Sequence, residues 1–238
     1  MGQLNPCVTT VSVTFNNRKE LERTLQSLTK VSVQPVEIII IDGGSTDGSV
    51  DLIKSYISDL PQLVYISEDD NGIFDAMNKG RRLVKTKLIH YLPAGDYLYG
   101  EPYKGIVRPS LIPVGFVDEL GMECGEDKVK LFGTGYNHQG MIVPADHVEY
   151  DTSLWVAADY KMSLEVFPRG LSSELFVRNG GVKYQLGGLS TQRSLLVAYQ
   201  LVVGVFKVRP LLAIPVACIL LIKSVVPRAL RRWILRRR

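Results

Sequence analysis

The sequence predicts an α/β protein whose first hundred residues form a doubly wound, mostly parallel sheet flanked by helices. Three observations carry that prediction. Short β-rich segments alternate with amphipathic helical ones, the links between them are short, and residues 36–42 (VEIIIID) form a continuous apolar run of the kind a strand buried on both faces requires.

Residues 8–15 (VTTVSVTF) are rich in β-branched side chains and read as the first strand. Asn17 stands as an N-cap with Glu20 three residues on, and Leu21, Leu25 and Leu28 follow at helical spacing, so 18–29 is an amphipathic helix. The second strand, 36–42, runs into the loop GGSTDGS and a helix over 48–58. A short strand at 63–67 (LVYIS) follows, then a helix over 72–84 with Ile73, Met77 and Val84 on one face, then a strand at 87–92 (KLIHYL). Beyond residue 100 the pattern is less regular. Strands are expected near 111–117, 129–133, 139–143 and 182–186, and a helix near 156–167. No internal repeat appears, and no linker is long enough to separate two independent domains.

Hydrophobic residues make up 46% of the 238 and charged residues 22%, so the chain is globular rather than disordered. Cys7, Cys124 and Cys218 are too far apart to suggest a disulfide framework or metal-ligand spacing. The opening Met-Gly-Gln-Leu-Asn-Pro lacks the basic and apolar regions of a secretory signal, and Pro6 breaks the myristoylation pattern.

The net charge of +4 is unevenly spread. Nine of the 28 basic residues lie in 194–238, which has no Asp or Glu, so 1–193 carries 19 basic against 24 acidic residues, a net of −5. An acidic body argues against nucleic acid as the main partner, and a basic, apolar tail argues for an anionic membrane surface.

Ligands of open α/β sheets bind beyond the carboxyl ends of the strands, so the chemistry is sought there. Thr14 ends the first strand and Asn16 and Asn17 follow it; Asp42, Gly43, Gly44, Ser45, Thr46 and Asp47 follow the second. Glu68, Asp69, Asp70, Asn71 and Gly72 follow the third, and Ala94, Gly95 and Asp96 the fourth. Three acidic loops at one rim bind a nucleotide diphosphate only with a divalent cation between carboxylate and phosphate, and oxygen ligands suit Mn²⁺ or Mg²⁺. GGSTDGS lacks the lysine of a P-loop, and Gly133-Thr134-Gly135 lacks the third glycine of a dinucleotide fingerprint.

These segments resemble a known family. Asp42-Gly-Gly-Ser-Thr-Asp-Gly-Ser49 after an apolar strand is similar to the nucleotide-binding segment of the family 2 inverting glycosyltransferases of the GT-A fold. Glu68-Asp-Asp-Asn-Gly-Ile-Phe-Asp-Ala-Met-Asn-Lys-Gly80 resembles the next motif, in the subgroup of bacterial polysaccharide and lipid-linked oligosaccharide enzymes. Leu92-Pro-Ala-Gly-Asp96 lies where that family has its metal-binding DXD, and His138-Gln139, Ala158-Asp159-Tyr160 and Gly187-Gly-Leu-Ser190 resemble later signatures.

The resemblance implies roles. Asp42 accepts a hydrogen bond from the nucleobase, uracil if the donor is a UDP-sugar, and Thr14, Asn16, Gly43 and Gly95 belong with it to the donor site. Asp75, Asn78 and Lys79 lie on the helix beside the nucleotide and sugar, and Asp96 ligates the metal. Asp159 is the base that deprotonates an acceptor hydroxyl as it displaces the nucleoside diphosphate with inversion; as the first acid of a helix it would also suit the helix dipole. Ser190 belongs to a loop over the donor, and His138 and Gln139 touch sugar, acceptor or phosphate, or are structural. Trp155 either stacks on a sugar or sits in the core; His90 is expected in packing and His147 at the surface. The chain departs from the family pattern at Ala94, where the first metal carboxylate stands, and at Ala158, where a Glu precedes the catalytic Asp.

A GT-A glycosyltransferase domain over 1–193 and a membrane-associating helical tail over 194–238 are thus expected, the enzyme serving a lipid-linked saccharide acceptor at the cytoplasmic face of the cell membrane. The tail holds two charge-free runs, 194–206 and 210–222, each 13 residues long. A span needs roughly 20 residues, so an interfacial helix pair fits better. Two rival readings stand beside this one. A nucleotidyltransferase would want a Gly- and Lys-rich loop where TFNNRKE stands, and a non-catalytic interaction protein of the same fold would explain Ala94 and Ala158.

Overall fold

The computed structural model describes residues 7–118, 122–127, 136–167, 175–185, 195–211, 213, 214 and 217. Strand β1 (Val8–Thr14) leads to helix α1 (Arg18–Lys30), then β2 (Glu37–Asp42), α2 (Ser49–Ser55), β3 (Leu63–Ser67), α3 (Ile73–Leu83) and β4 (Leu88–Tyr91). These four strands are parallel in the order β3-β2-β1-β4, the doubly wound sheet expected from the sequence. The six-stranded sheet is completed by β9 (Met141–Pro144), antiparallel to β4, and by β6 (Ser110–Leu111) beyond it.

The apolar run of β2 works as its composition requires. Ile38 and Ile40 pack with Leu21, Leu25 and Leu28 of α1 and Ile53 of α2 on one face of the sheet. Ile39 and Ile41 pack with Phe74 and Met77 of α3 and with Val11 and Val13 on the other. Burial on both faces leaves no polar position between Glu37, which opens the strand, and Asp42 at its end. The buried stripe of α3 is Phe74, Met77 and Gly80; Ile73, expected on that stripe, is exposed. Gly80 lets α3 approach closely, since a Cβ there would lie 2.5 Å from Val11 Cγ1.

A second sheet, not expected from the sequence, has the order β5-β10-β7-β8. Its strands are β5 (Tyr97–Gly100), β7 (Val114–Val117), β8 (Glu123–Glu126) and β10 (Gly180–Gln185). The single strand expected near 111–117 is thus two strands in different sheets, divided at Pro113, which has no N–H to offer a ladder. The strand expected at 129–133 lies outside the described residues. Helix α4 (Ala158–Val166) falls where a helix was expected. Helix α5 (Leu195–Val208) packs on it through Leu164 and Val205, Ala213 beyond the helix joins the same cluster, and Lys207 pairs with Asp151 at 2.7 Å.

His90 lies in the core, in a relay of hydrogen bonds. Thr10 Oγ1 and Tyr103 Oη are 2.8 Å apart, Tyr103 Oη lies 2.8 Å from His90 Nδ1, and His90 Nε2 donates to the Gln139 carbonyl at 2.7 Å. Burial pushes this imidazole down to about 4 from its ordinary 6.5. The folded state therefore resists a proton that the unfolded chain takes up. The stabilisation is complete above about pH 6.5 and is lost as the pH falls toward 4. Denaturant melts at pH 7.5 and pH 5 should show wild type losing about 2 kcal/mol more than a His90→Gln variant. Equal losses would rule out a neutral buried ring.

His147, expected at the surface, is buried at 5% exposure. Its Nε2 lies 2.8 Å from Tyr91 Oη, and its ring meets those of Tyr91 and Tyr150 edge-on. The reason is long-range. The Asn78 side chain holds Tyr150 by both backbone groups, donating to its carbonyl at 2.9 Å and accepting from its N–H at 2.8 Å, which folds residues 145–150 beneath α3.

Candidate donor-binding and transfer site

The carboxyl ends of β3, β2, β1 and β4 form one rim, and backbone hydrogen bonds carry its loops onward in register. Gly43 N donates to Thr14 O, Glu68 N to Asp42 O, and Ala94 N to Val13 O. The GGSTDGS loop is built from both sides. Asn16, in a left-handed conformation (φ 46°), accepts from Thr46 N at 2.9 Å through Oδ1, and its own N–H donates to Ser45 Oγ at 2.7 Å. The Asp47 carboxylate accepts from the first N–H of α1, Arg18, at 2.8 Å, and from the first N–H of α2, Ser49, at 3.0 Å. One side chain thereby caps two helices, and the Ser49 hydroxyl holds its carboxyl below the usual range. Asn17, the N-cap position of α1, makes no side-chain cap. Gly48 and Gly44 take positive φ to close the turn.

Asp42 is fully buried at the end of β2. Its Oδ2 accepts from Ser45 N at 3.0 Å and from Ser67 Oγ at 2.6 Å, while its Oδ1 has no hydrogen-bond partner. A buried carboxylate oxygen without a donor is costly in a finished structure. Thr14 Oγ1 on β1, paired with Asp42 across the ladder, is buried and unpartnered as well. Gly43 and Gly44 lie directly under the acidic loop: a Cβ on Gly43 would stand 2.5 Å from Asp70 Oδ2, and one on Gly44 2.7 Å from Asp69 Oδ1.

Three residues of α3 expected beside the donor are committed to the protein. Asp75 accepts from Asn71 N at 3.0 Å, shaping the loop before its own helix. Lys79 reaches the Asp69 carbonyl at 2.6 Å and Glu68 at 2.8 Å, and the Glu68 carboxylate raises its ammonium above the ordinary lysine range. Asn78 clamps Tyr150 as described. These side chains fix the rim loops in place.

Asp96 is nearly buried, and α1 sets its position: Thr24 Oγ1 accepts from Gly95 N at 3.0 Å and donates to Asp96 O at 2.7 Å. Gly95 has φ 106°, a conformation that favours glycine. Among the described residues no group of three or more His, Cys, Asp or Glu could hold a metal ion. Ala94 packs against the core beside Asp96. Asp96 can thus offer a hard cation one carboxylate, and a full shell of about six oxygens must come largely from diphosphate and water.

The 3₁₀ turn His138–Gly140 reaches the same rim, because it leads into β9, which runs antiparallel to β4. His138 Nδ1 lies 3.0 Å from Asp159 Oδ2 at the start of α4, and Asp159 Oδ1 accepts from Tyr160 N at 2.7 Å. His138 Nε2 and Gln139 Oε1 are buried without partners. His138 and Asp159 stand 21 residues apart with no local period to join them, so the pair is not legible in the sequence. Trp155 is exposed, on the segment leading into α4. Ser190 lies outside the described residues.

A parallel sheet whose carboxyl rim carries a buried acidic acceptor, a glycine-rich loop and a His–Asp pair has the architecture of a GT-A-type α/β domain. Residues 9–99, somewhat over a third of the chain, match the model of glycosyl transferase family 2. A PGL/p-HBAD biosynthesis glycosyltransferase of Mycobacterium tuberculosis is 32% identical over 95 residues, 40% of this chain and 37% of that one. A validoxylamine A glucosyltransferase of Streptomyces hygroscopicus is 33% identical over 94 residues, 38% of this chain and 20% of that one. The chain thus spans well under half the length of these relatives. Among solved structures, residues 1–349 of S. aureus TarS in complex with UDP superpose with a TM-score of 0.60 at 13% identity, over 95% of this chain and 78% of that fragment. GalNAc-T7 with UDP, GalNAc and Mn²⁺ superposes with a TM-score of 0.56 at 16% identity, over 83% and 47%. At such identities the likeness is one of fold.

Proposed function

We propose that this chain transfers a sugar from a nucleotide-sugar donor, a UDP-sugar, to a hydroxyl of a lipid-linked saccharide, with inversion, in cell-surface polysaccharide synthesis. The observation that carries this reading is the set of buried polar atoms left without partners at one rim: Thr14 Oγ1, Asp42 Oδ1, His138 Nε2 and Gln139 Oε1. Polar atoms of this kind are paired in a working protein, so a ligand rich in donors and acceptors is what the rim lacks. In this reading the first two serve the nucleobase, and the last two serve the sugar and its acceptor. UDP and UDP-GlcNAc in the TarS complexes support a uridine donor.

Asp42 binds the nucleobase, the loop held by Asn16 and Asp47 cradles the ribose and phosphates, and the His138–Asp159 pair faces the acceptor. Asp96 would hold Mn²⁺ or Mg²⁺ together with the diphosphate, and the cation would neutralise charge on the departing group. Helix α5 is free of acidic residues and exposes Tyr199 and Phe206, with Leu211 and Ile214 exposed beyond it. No helix among the described residues is long and apolar enough to cross a membrane. A tail lying on an anionic surface at the cytoplasmic face suits these exposed side chains and the basic residues that follow.

The test is nucleoside diphosphate release from a panel of UDP- and GDP-sugars. The full chain would be assayed on phosphatidylglycerol and on phosphatidylcholine vesicles, each loaded with bacterial lipid extract. Release and lipid-phase product should appear with a UDP-sugar, require a divalent cation, rise on the anionic vesicles, collapse in Asp96→Ala and fall in Asp159→Asn. Tight UDP binding with no release from any donor would instead support a non-catalytic protein of this fold, the reading that Ala94 and Ala158 favour.

A further inference from the structure

The base expected from the sequence is Asp159, yet the structure shows both of its oxygens engaged, Oδ2 with His138 Nδ1 at 3.0 Å and Oδ1 with Tyr160 N at 2.7 Å. The position before it, where the family pattern has a carboxylate, is Ala158, buried at 1% exposure in the core. No second acid at that position can share the task.

We propose that His138 is the proton acceptor of the transfer reaction and that Asp159 is its positioning residue; this rests on the glycosyl-transfer reading above. A carboxylate only accepts hydrogen bonds, so the hydrogen of the neutral ring sits on Nδ1 and the lone pair on Nε2. That Nε2 is buried and unpartnered. The Asp159 carboxylate at 3.0 Å orients the ring, and the backbone beside it is fixed. The Gln139 carbonyl accepts from His90 Nε2 at 2.7 Å, and His90 is held in turn by Tyr103 and Thr10, so the relay ties the 138–140 turn to β4 and β1. Gly140 packs as tightly on the other side, since a Cβ there would lie 2.4 Å from Val114 Cγ2. An imidazole carried on a fixed turn, with one nitrogen on a carboxylate and the other unpartnered, is the arrangement of a general base with its orienting acid.

The step balances without a further reactant. The acceptor O–H bond breaks and its proton passes to His138 Nε2. The oxygen's electron pair forms the bond to the anomeric carbon, and the bond from that carbon to the diphosphate oxygen breaks, its electrons leaving with the nucleoside diphosphate. Asp159 then faces an imidazolium, whose charge it stabilises at 3.0 Å.

The experiment uses the full chain with the UDP-sugar that supports transfer, UDP binding by calorimetry and kinetics on lipid-extract vesicles. His138→Gln keeps a polar group of similar reach that cannot take up a proton. It should bind UDP within threefold of wild type and lose roughly 10²–10⁴-fold in kcat. His138→Gly should regain activity with added imidazole in proportion to its free-base concentration, whereas Asp159→Ala should not. Asp159→Asn should lose less than His138→Gln, in kcat rather than KM, because the ring survives without its anchor. A His138→Gln enzyme within threefold of wild-type kcat, or a His138→Gly enzyme that folds, binds UDP and ignores imidazole, overturns the assignment and returns the base to Asp159. Absence of transfer by wild type from every donor would instead defeat the glycosyl-transfer reading itself, and the base assignment with it.

Discussion

Asp42→Asn is expected to weaken UDP binding by about 10- to 100-fold while leaving the protein folded. The wild-type carboxylate is divided between two tasks: Oδ2 is occupied by Ser45 N–H and the Ser67 hydroxyl, and Oδ1 is empty. A uracil N–H on Oδ1 would make a charge-assisted bond worth about 1.5–3 kcal/mol. Asparagine cannot serve both sides. With its amide nitrogen at the Oδ1 position, a donor meets the donor of the base. With the nitrogen at the Oδ2 position, it meets the Ser45 N–H, which cannot reverse as a hydroxyl can. Both orientations leave one clash of donors. Titration calorimetry with UDP, at a temperature where circular dichroism shows the variant folded, reads the effect. A dissociation constant within threefold of wild type would remove Asp42 from the nucleobase site.

The largest stability effect is expected from Gly181→Ala. Gly181 lies in β10, between Tyr99 of β5 and the entry to β7. A Cβ there would stand 2.1 Å from the Pro113 carbonyl oxygen, itself the acceptor for Val182 N at 2.9 Å. The obstacle is backbone held in a ladder, so relief requires breaking strand pairing rather than turning a side chain. The cost should be about 3 kcal/mol or more, a fall of roughly 10 °C in Tm for a chain of this size. Gly105→Ala is the control, since Gly105 has φ 78° but open space around its missing Cβ. Only the conformational strain applies there, about 1 kcal/mol. If Gly181→Ala melts within 2 °C of wild type, the register of β10 against its neighbours is not as described.

Much of the rim was legible because it is written locally. The β-branched run of β1 and the isoleucines of β2 specify strands by composition alone. The rule that ligands gather at the carboxyl ends of such strands then points to Asp42 and Asp96 without any coordinates. What the individual side chains do was less legible. Asn16, Asp75 and Lys79 stand at the right places in the chain, yet the structure shows them bonded to Thr46, Asn71 and Glu68, holding loops. A side chain's position along the sequence gives its neighbourhood, and the competition among neighbours for its few hydrogen bonds decides its partner.

The sequence by itself determined the parallel βα core of the first hundred residues, the acidic and glycine-rich loops at its rim and their likeness to the glycosyl transferase family 2 model. Each depends on periodicity and composition over a dozen residues or fewer. Tertiary structure alone decided the second sheet, in which Leu98, Val114 and Val182 meet from distant segments. It also decided the burial of His147 beneath α3 and the meeting of His138 with Asp159 across 21 residues. Those pairings have no local period. They form because closing the long loops of the second half is repaid only when β10 enters between β5 and β7 and α4 packs behind the rim.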